Sequence, residues 1–213
     1  MNRRCFGHVS AALGAVLLFA AAPLVYAADE APDALIKRLS DDVLSSLKSD
    51  KSIQNGDVNR MMVLVDSKIM PNVNFQRMTA ATVGPAWRQA TPEQQKRLQE
   101  EFKTLLVRTY AGALTQVADE TVSVKPMRAS PSDTEVVVRT EVRGRGDPIQ
   151  LDYRLEKTPG QGAGWKIYNL NVLGVWLVET YRSQFAHEIN TKGVDGLIVA
   201  LAERNKSNAS KKG

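Results

Sequence analysis

Residues 165–185 read WKIYNLNVLGVWLVETYRSQF. From Trp165 the chain alternates as a half-buried strand does, then passes through an almost uncharged block from Val172 to Val178. Beyond it Tyr181 and Phe185 stand one helical turn apart. A strand running into an amphipathic helix, with more apolar surface than one face requires, poses the question for the whole chain. Something apolar must lie against that block, either the protein's own core or a ligand.

Working back from it, the period is two as far as Thr121. Thr121 to Met127 reads as one strand and Thr134 to Arg143 as a second, with Val136, Val138, Thr140 and Val142 on one face and Arg139, Glu141 and Arg143 on the other. Gly144 to Pro148 turns the chain, and Ile149, Leu151, Tyr153 and Leu155 then alternate with Gln150, Asp152, Arg154 and Glu156. Pro159 to Gly164 turns it again into the Trp165 strand. The pattern predicts a four-stranded antiparallel meander with one apolar and one wet face.

Further back the period is that of helices. Pro32-Asp33 opens one in which Leu35, Leu39, Val43 and Leu47 recur every fourth residue. A second runs from about Val58 to Ile69, where Pro71 stops it, and a third from Asn74 to Val83 presents Phe75, Met78 and Val83. Thr91-Pro92-Glu93-Gln94 is a capping box with proline at the first helical position. The long helix after it carries Leu98, Phe102, Leu105, Leu106, Tyr110 and Leu114 in a wide apolar stripe. After Phe185 the helix is expected to continue to about Thr191, stop at Gly193 and resume from Asp195 to Leu201. Helices, then sheet, then helices is an α+β order, and no linker interrupts residues 28–204, which read as a single domain.

The N-terminus has Arg3 and Arg4, a small apolar run from Ala11 to Ala22 and alanine at position 27, the pattern of a signal peptide over residues 1–27. The run is shorter than the ~20 residues a bilayer-spanning helix needs, so no stable membrane anchor is expected. Cys5, the sole cysteine, would leave with the leader. Export without disulfides points to a periplasm. The net charge of +5 suggests nucleic acid at first sight. Setting aside Arg3, Arg4, Lys206, Lys211 and Lys212 leaves as many basic as acidic residues. A neutral exported body argues against nucleic-acid binding. Residues 205–213 read as a disordered basic tail.

Little catalytic equipment is present. One histidine, His187, and no cysteine remain after the leader, so no metal is expected. Ser183 lies one turn before His187, but a solvent-facing pair is the simpler reading. Gly160 to Gly164 joins two strands, which excludes a phosphate loop. The strand acids Glu141, Asp152 and Glu156 share the wet face, away from any cavity, and Asn169 and Asn171 cannot serve as general bases. Binding of an apolar ligand in a cavity is therefore the economical hypothesis. A small-molecule isomerase- or hydrolase-like enzyme of the same fold class is the alternative.

A series of motifs then carries a resemblance. Phe75-Gln76-Arg77-Met78, Val83-Gly84, Trp87-Arg88, Thr91 to Gln95, Phe102, Leu105-Leu106, Tyr110-Ala111, Trp165-Lys166-Ile167-Tyr168, Gly174-Val175 and Tyr181 to Phe185, in this order, resemble the MlaC family of periplasmic phospholipid-binding proteins, also called toluene-tolerance auxiliary components. The resemblance spans about residues 33–203 and implies a nuclear-transport-factor-like curved sheet wrapped by helices, with an apolar cavity between them for the acyl chains. It further implies a soluble shuttle between an inner-membrane ABC-transporter complex carrying an MCE-domain protein and an outer-membrane lipoprotein-porin complex, helping to maintain outer-membrane lipid asymmetry. Phospholipid is cargo in such a protein; neither cofactor nor catalysis is implied.

On that reading the residues expected to line the lipid are Phe75, Met78, Val83, Trp87, Leu105, Leu106 and Tyr110 from the helices, and Val136, Val138, Leu151 and Tyr153 from the sheet. Val172, Val175, Leu177 and Tyr181 complete the wall, with Arg182 and Gln184 at the rim or docking partners. Four residues depart from the pattern. Asn74 and Asn169 stand where relatives commonly have acids, Leu173 where an acid is frequent, and Trp176 where a small polar residue is. Each change makes its neighbourhood less charged or bulkier and bears on the cavity's shape, lipid preference and partner, with the fold undisturbed.

Overall fold

The structure, a computed structural model, describes residues 30–116, 119–130, 132–144 and 146–210. The expected leader, residues 1–27, and Lys211 and Lys212 lie outside the described residues.

The meander has five strands rather than four: β1 (Thr121–Val124), β2 (Glu135–Arg143), β3 (Ile149–Lys157), β4 (Trp165–Val172) and β5 (Val175–Trp176). Each is antiparallel to its neighbour in sequence, and the sheet is curved. The added strand comes out of the uncharged block. Leu173 and Gly174 both adopt left-handed backbone angles, with φ of 53° and 86°, and make a two-residue turn that sets Val172 opposite Val175. The Asn171 side chain fixes the turn by accepting the Gly174 N–H at 2.8 Å, while the Leu173 N–H donates to the Gln150 carbonyl at 3.0 Å. What reads as one continuous apolar run is a hairpin whose tip faces water.

A bulge decides which way β4 faces. Leu155 lies opposite Ile167 and Arg154 opposite Asn169, so Tyr168 is one residue too many on its strand. Because side chains alternate, the extra residue brings Trp165, Ile167, Leu170 and Val172 all onto the inner face with Leu151, Tyr153 and Leu155. Asn169 and Asn171 go to the outer face with Asp152 and Arg154.

The helices begin where their caps dictate. α1 (Pro32–Ser49) lays Leu35, Ile36 and Leu39 against Val138, Leu155, Trp165 and Ile167 of the inner face. A single turn, α2 (Lys51–Gln54), is capped by Asp50. α3 (Val58–Leu64) starts at Asp57, whose carboxylate accepts the N–H groups of Asn59 and Arg60. It runs on as a wide turn, Val65–Ile69, until Pro71 stops it. α4 (Phe75–Val83) is capped by Asn74, which takes the Arg77 N–H at 2.9 Å. Just before that cap, Val73 pairs with Ile167, and the Asn74 N–H donates to the Ile167 carbonyl at 2.8 Å, so this segment runs along the outer edge of β4. α5 (Pro92–Gln116) opens with the expected reciprocal bonds between Thr91 and Gln94, at 3.0 and 3.2 Å. α6 (Leu177–Ser210) follows β5 directly and breaks at Gly193, where φ is 71° and ψ is −173°.

The expected tail needs correction. α6 continues as helix through Ser210, and Asn205 is buried against α5, donating to the Glu101 carbonyl at 3.0 Å. A polar composition does not unfold a segment whose inner face finds partners.

Leu173 is 64% exposed and sits in a backbone region that disfavours a branched side chain. Leu173→Asn is expected to raise the free energy of unfolding in urea by about 1 kcal/mol. An unchanged or lowered value would show that the turn carries no strain.

Candidate functional site

The interior is divided. One apolar cluster joins α4, α5 and α6 around Phe75, Met78, Leu105, Leu177 and Tyr181; a second lies between α1 and the sheet around Val138 and Leu155; a third lies between α1, α3 and α5 around Leu47, Met61 and Val107. They touch one another only through half-buried residues. Val73 belongs to the first and second, Val43 to the second and third, and Met70 to the first and third. A domain of this size ordinarily has one contiguous core. Here three clusters form a ring.

The reason lies in where α5 goes. It packs on α3, α4 and α6 and makes at most marginal contact with the sheet. Leu106 and Tyr110 of α5, and Leu151, Tyr153, Leu170 and Val172 on the inner face of β3 and β4, stay half-buried where a packed two-layer core would cover them. Burial nonetheless pushes the Tyr110 phenol above its ordinary range, with a further contribution from Tyr181, and pushes the Tyr153 phenol up to about 12. Ser40 and Thr140 lie within hydrogen-bonding reach of the Tyr153 hydroxyl. The inside of the ring is apolar, with hydroxyls at its margin and no carboxylate on the strand faces that line it.

The expected lining residues distribute over this ring. Phe75, Met78, Val83, Leu105, Leu177 and Tyr181 are buried in the first cluster, with Trp87, Leu106, Tyr110 and Val172 packed half-buried against it. Their aromatic neighbours are close: the Phe102 ring is 5.7 Å from Phe75 and 5.2 Å from both Tyr181 and Phe185. Val136, Val138 and Tyr153 belong to the second cluster. Val175, opposite the inner-face Val172 on β5, is 50% exposed beside the turn that the alternation could not foresee. Arg182 is exposed on α6 with its Nε 3.8 Å from where a Cβ on Gly84 would stand, and Gln184 is exposed and accepts from Arg204.

The outer face holds what sequence reasoning missed. The Arg77 guanidinium leaves α4 and lies 3.7 Å above the Tyr168 ring, where it bonds Glu156 of β3 and, at 2.5 Å, Glu135 of β2. The Tyr168 hydroxyl donates to Glu135 at 2.9 Å, and Asn74 donates to Glu156 at 2.5 Å. Hydrogen bonds from Arg77, then from Tyr168, hold the Glu135 carboxyl below its ordinary range. A second group surrounds the start of α6. Asn169 is 1% exposed, accepts the Val178 N–H at 3.1 Å and donates to Glu179 at 2.8 Å. Arg154 bonds Glu179 at 2.5 Å and lies 3.9 Å above the Trp176 ring. Burial works against the Glu179 charge, yet the bonds from Asn169 and Arg154 keep its carboxyl below the usual range.

These contacts revise two expectations. Asn74 and Asn169 act on the outer face as helix caps, Trp176 is a platform for Arg154 there, and Leu173 is a turn tip, so none of the four departures faces the interior. Asp152 does share the outer face with Glu141 and Glu156, but it is buried rather than wet, 4% exposed, with Gln150 donating to it at 2.6 Å. His187 and Ser183 are both exposed, and the Ser183 hydroxyl donates to the Glu179 carbonyl rather than to His187. Among the described residues no group of three His, Cys, Asp or Glu could hold a metal, and no helix is long and apolar enough to cross a membrane.

Comparison with known proteins agrees with this architecture. The family described as MlaC protein matches residues 37–203. The chain belongs to the MlaC family. It is 27% identical over 183 residues to the toluene tolerance protein ttg2D of Pseudomonas putida, covering 85% of this chain and 84% of the relative. It is 22% identical over 178 residues to the intermembrane phospholipid transport system binding protein MlaC of Haemophilus influenzae, covering 83% of each. Among solved structures, a phospholipid-binding protein from Ralstonia solanacearum, in complex with a phospholipid, superposes with a TM-score of 0.79 at 48% identity, covering 83% of this chain and 98% of that one.

Asn169 carries the join between sheet and α6, so Asn169→Ala is expected to cost about 1–3 kcal/mol in urea unfolding, because it leaves the buried Val178 N–H without its acceptor and removes one of the two bonds to Glu179. A loss under 0.5 kcal/mol would remove Asn169 from that role.

Proposed function

We propose that the protein binds phospholipid with its acyl chains in the space between α5 and the sheet and carries it through the periplasm. The observation that carries this reading is the divided core: a long helix keeps an apolar stripe but packs chiefly on α3, α4 and α6, and Leu106, Tyr110, Leu151 and Val172 stay half-buried between it and the sheet. The phospholipid bound to the Ralstonia solanacearum protein, which shares the fold, supports it. Each CH₂ taken from water is worth ~0.8 kcal/mol, so covering two long chains is worth on the order of 20 kcal/mol. Release into bare water is then negligibly slow. Handover requires another apolar site in contact, which suits a shuttle passing lipid between an inner-membrane MCE-domain ABC-transporter complex and an outer-membrane lipoprotein complex, and so sustaining outer-membrane lipid asymmetry. The leader expected over residues 1–27 would supply the address. The half-buried residues Leu106, Tyr110, Leu151, Tyr153 and Val172 are the proposed walls, with the buried Phe75, Met78, Val83, Leu105, Leu177 and Tyr181 behind or beside them.

Native mass spectrometry of protein purified from cells tests the reading. The expected spectrum shows the polypeptide plus one or more phospholipid masses, and Leu106→Trp, which fills the space from α5, is expected to lower that occupancy at least ~5-fold while leaving the fold intact. A wild-type mass equal to the polypeptide alone would overturn the proposal.

A further inference from the structure

α4 and α6 both wall the first apolar cluster, yet they join the sheet in different ways. α6 begins at Leu177, directly after β5, and its first turn is bonded to Asn169, so it cannot part from the sheet without unfolding. α4 has no such continuity. Its backbone connection is the single bridge of Val73 with Ile167 and the Asn74 N–H bond to the same residue. Among the described residues the further side-chain ties come from Asn74 and Arg77, with Lys166 of β4 donating to the Pro71 carbonyl just ahead of the helix at 2.6 Å. Arg77 spans three strands: it stacks on Tyr168 of β4 and bonds Glu156 of β3 and Glu135 of β2. On the same helix Phe75 and Met78 are buried in the cluster behind it. Arg77 stands in the Phe75 to Met78 motif, which the apolar reading leaves without a use for its charge.

We propose that Arg77 is a positioning residue that straps α4 to the outer face of the sheet and thereby sets the rate at which lipid enters and leaves. The inference rests on the lipid-binding reading above. The strap suits the task because it is strong in geometry and weak in burial. A guanidinium bonded to two carboxylates and stacked on a ring fixes orientation as a lysine cannot. Its groups remain partly open to solvent, with side-chain exposures of 34% for Arg77, 50% for Glu135 and 17% for Glu156, so salt or the charges of a membrane or partner compete for them. Release of Arg77 would loosen α4 from the sheet, leaving it held there by the Val73 and Asn74 bonds to β4 while Phe75, Met78 and Val83 keep it packed on α5 and α6. Leu170 and Val172, half-buried on the inner face of β4, pack against the same apolar cluster as Phe75 and Met78 of α4.

The test loads wild type, Arg77→Gln, Arg77→Lys and Glu135→Gln with pyrene-labelled phosphatidylcholine and follows transfer to unlabelled vesicles, alongside equilibrium occupancy by native mass spectrometry. Arg77→Gln is expected to transfer at least ~5-fold faster than wild type, with Glu135→Gln and Arg77→Lys between them, since each keeps part of the strap. Wild-type transfer should quicken as NaCl rises from roughly 0.05 to 0.5 M, and that of Arg77→Gln should not. Arg60→Ala is the comparison for general loosening: it removes an ion pair of 2.7 Å with Asp50, remote from the strap, and is expected to leave transfer unchanged. Equal rates and equal salt dependence in wild type and Glu135→Gln, or acceleration by Arg60→Ala equal to that by Arg77→Gln, would overturn the strap while leaving lipid binding intact. Failure of the wild type to hold labelled lipid would overturn both.

Discussion

The structure depends on where α5 rests. It runs for 25 residues with an apolar stripe and packs chiefly on α3, α4 and α6, reaching the sheet at most marginally. In most α+β domains burial of one layer against another supplies the core, and close packing leaves few voids larger than a water molecule. Here the apolar surface is sorted into three clusters arranged as a ring, and α5 is held by its neighbours α3, α4 and α6. Each cluster is itself packed. Phe102, Leu105, Leu47, Met61, Val138 and Leu155 are all buried.

α1 pins part of the sheet from inside, and contacts on the outer face hold α4 and α6 to it. Arg77 reaches from α4 across the strands, Asn169 holds the first turn of α6, and Arg154 with Trp176 braces Glu179. The Tyr168 bulge makes the arrangement possible. It turns the apolar half of β4 inward and sends Asn169 and Asn171 out with a single inserted residue. Polar groups on the outer face thus join α4 and α6 to the sheet, while α1 packs on part of its inner face.

Much of this was legible in the residues. Alternation located β2, β3 and β4, the Thr91–Gln94 capping box placed the start of α5, Pro71 marked the end of the α3 segment, and Gly193 marked the break in α6. The ordered motifs pointed to the family. What was not legible depended on geometry that pattern does not encode. The hairpin at Leu173 was hidden because leucine is a poor residue for its backbone, so the alternation gave no sign that Val175 stands half-exposed on a fifth strand. Asn74 and Asn169 looked like lost charges near a cavity; without the bulge in view, their outward direction and capping bonds could not be inferred. Asp152 read as wet because alternation gives a face but says nothing of what covers it. Residues 205–210 read as loose because composition ignores Glu101 and Arg108 waiting on α5.

The central claim is that acyl chains occupy the space between α5 and the inner face of the sheet. A photoreactive benzoylphenylalanine placed at Tyr110 or at Leu151, from opposite sides of that space, tests it most directly, with Val199 as an exposed reference on α6. Irradiation of protein purified from cells, followed by intact-mass measurement, is predicted to give phospholipid adducts at both inner positions and none at Val199. Adducts absent from Tyr110 and Leu151 in protein that still carries phospholipid would place the lipid elsewhere and contradict the account.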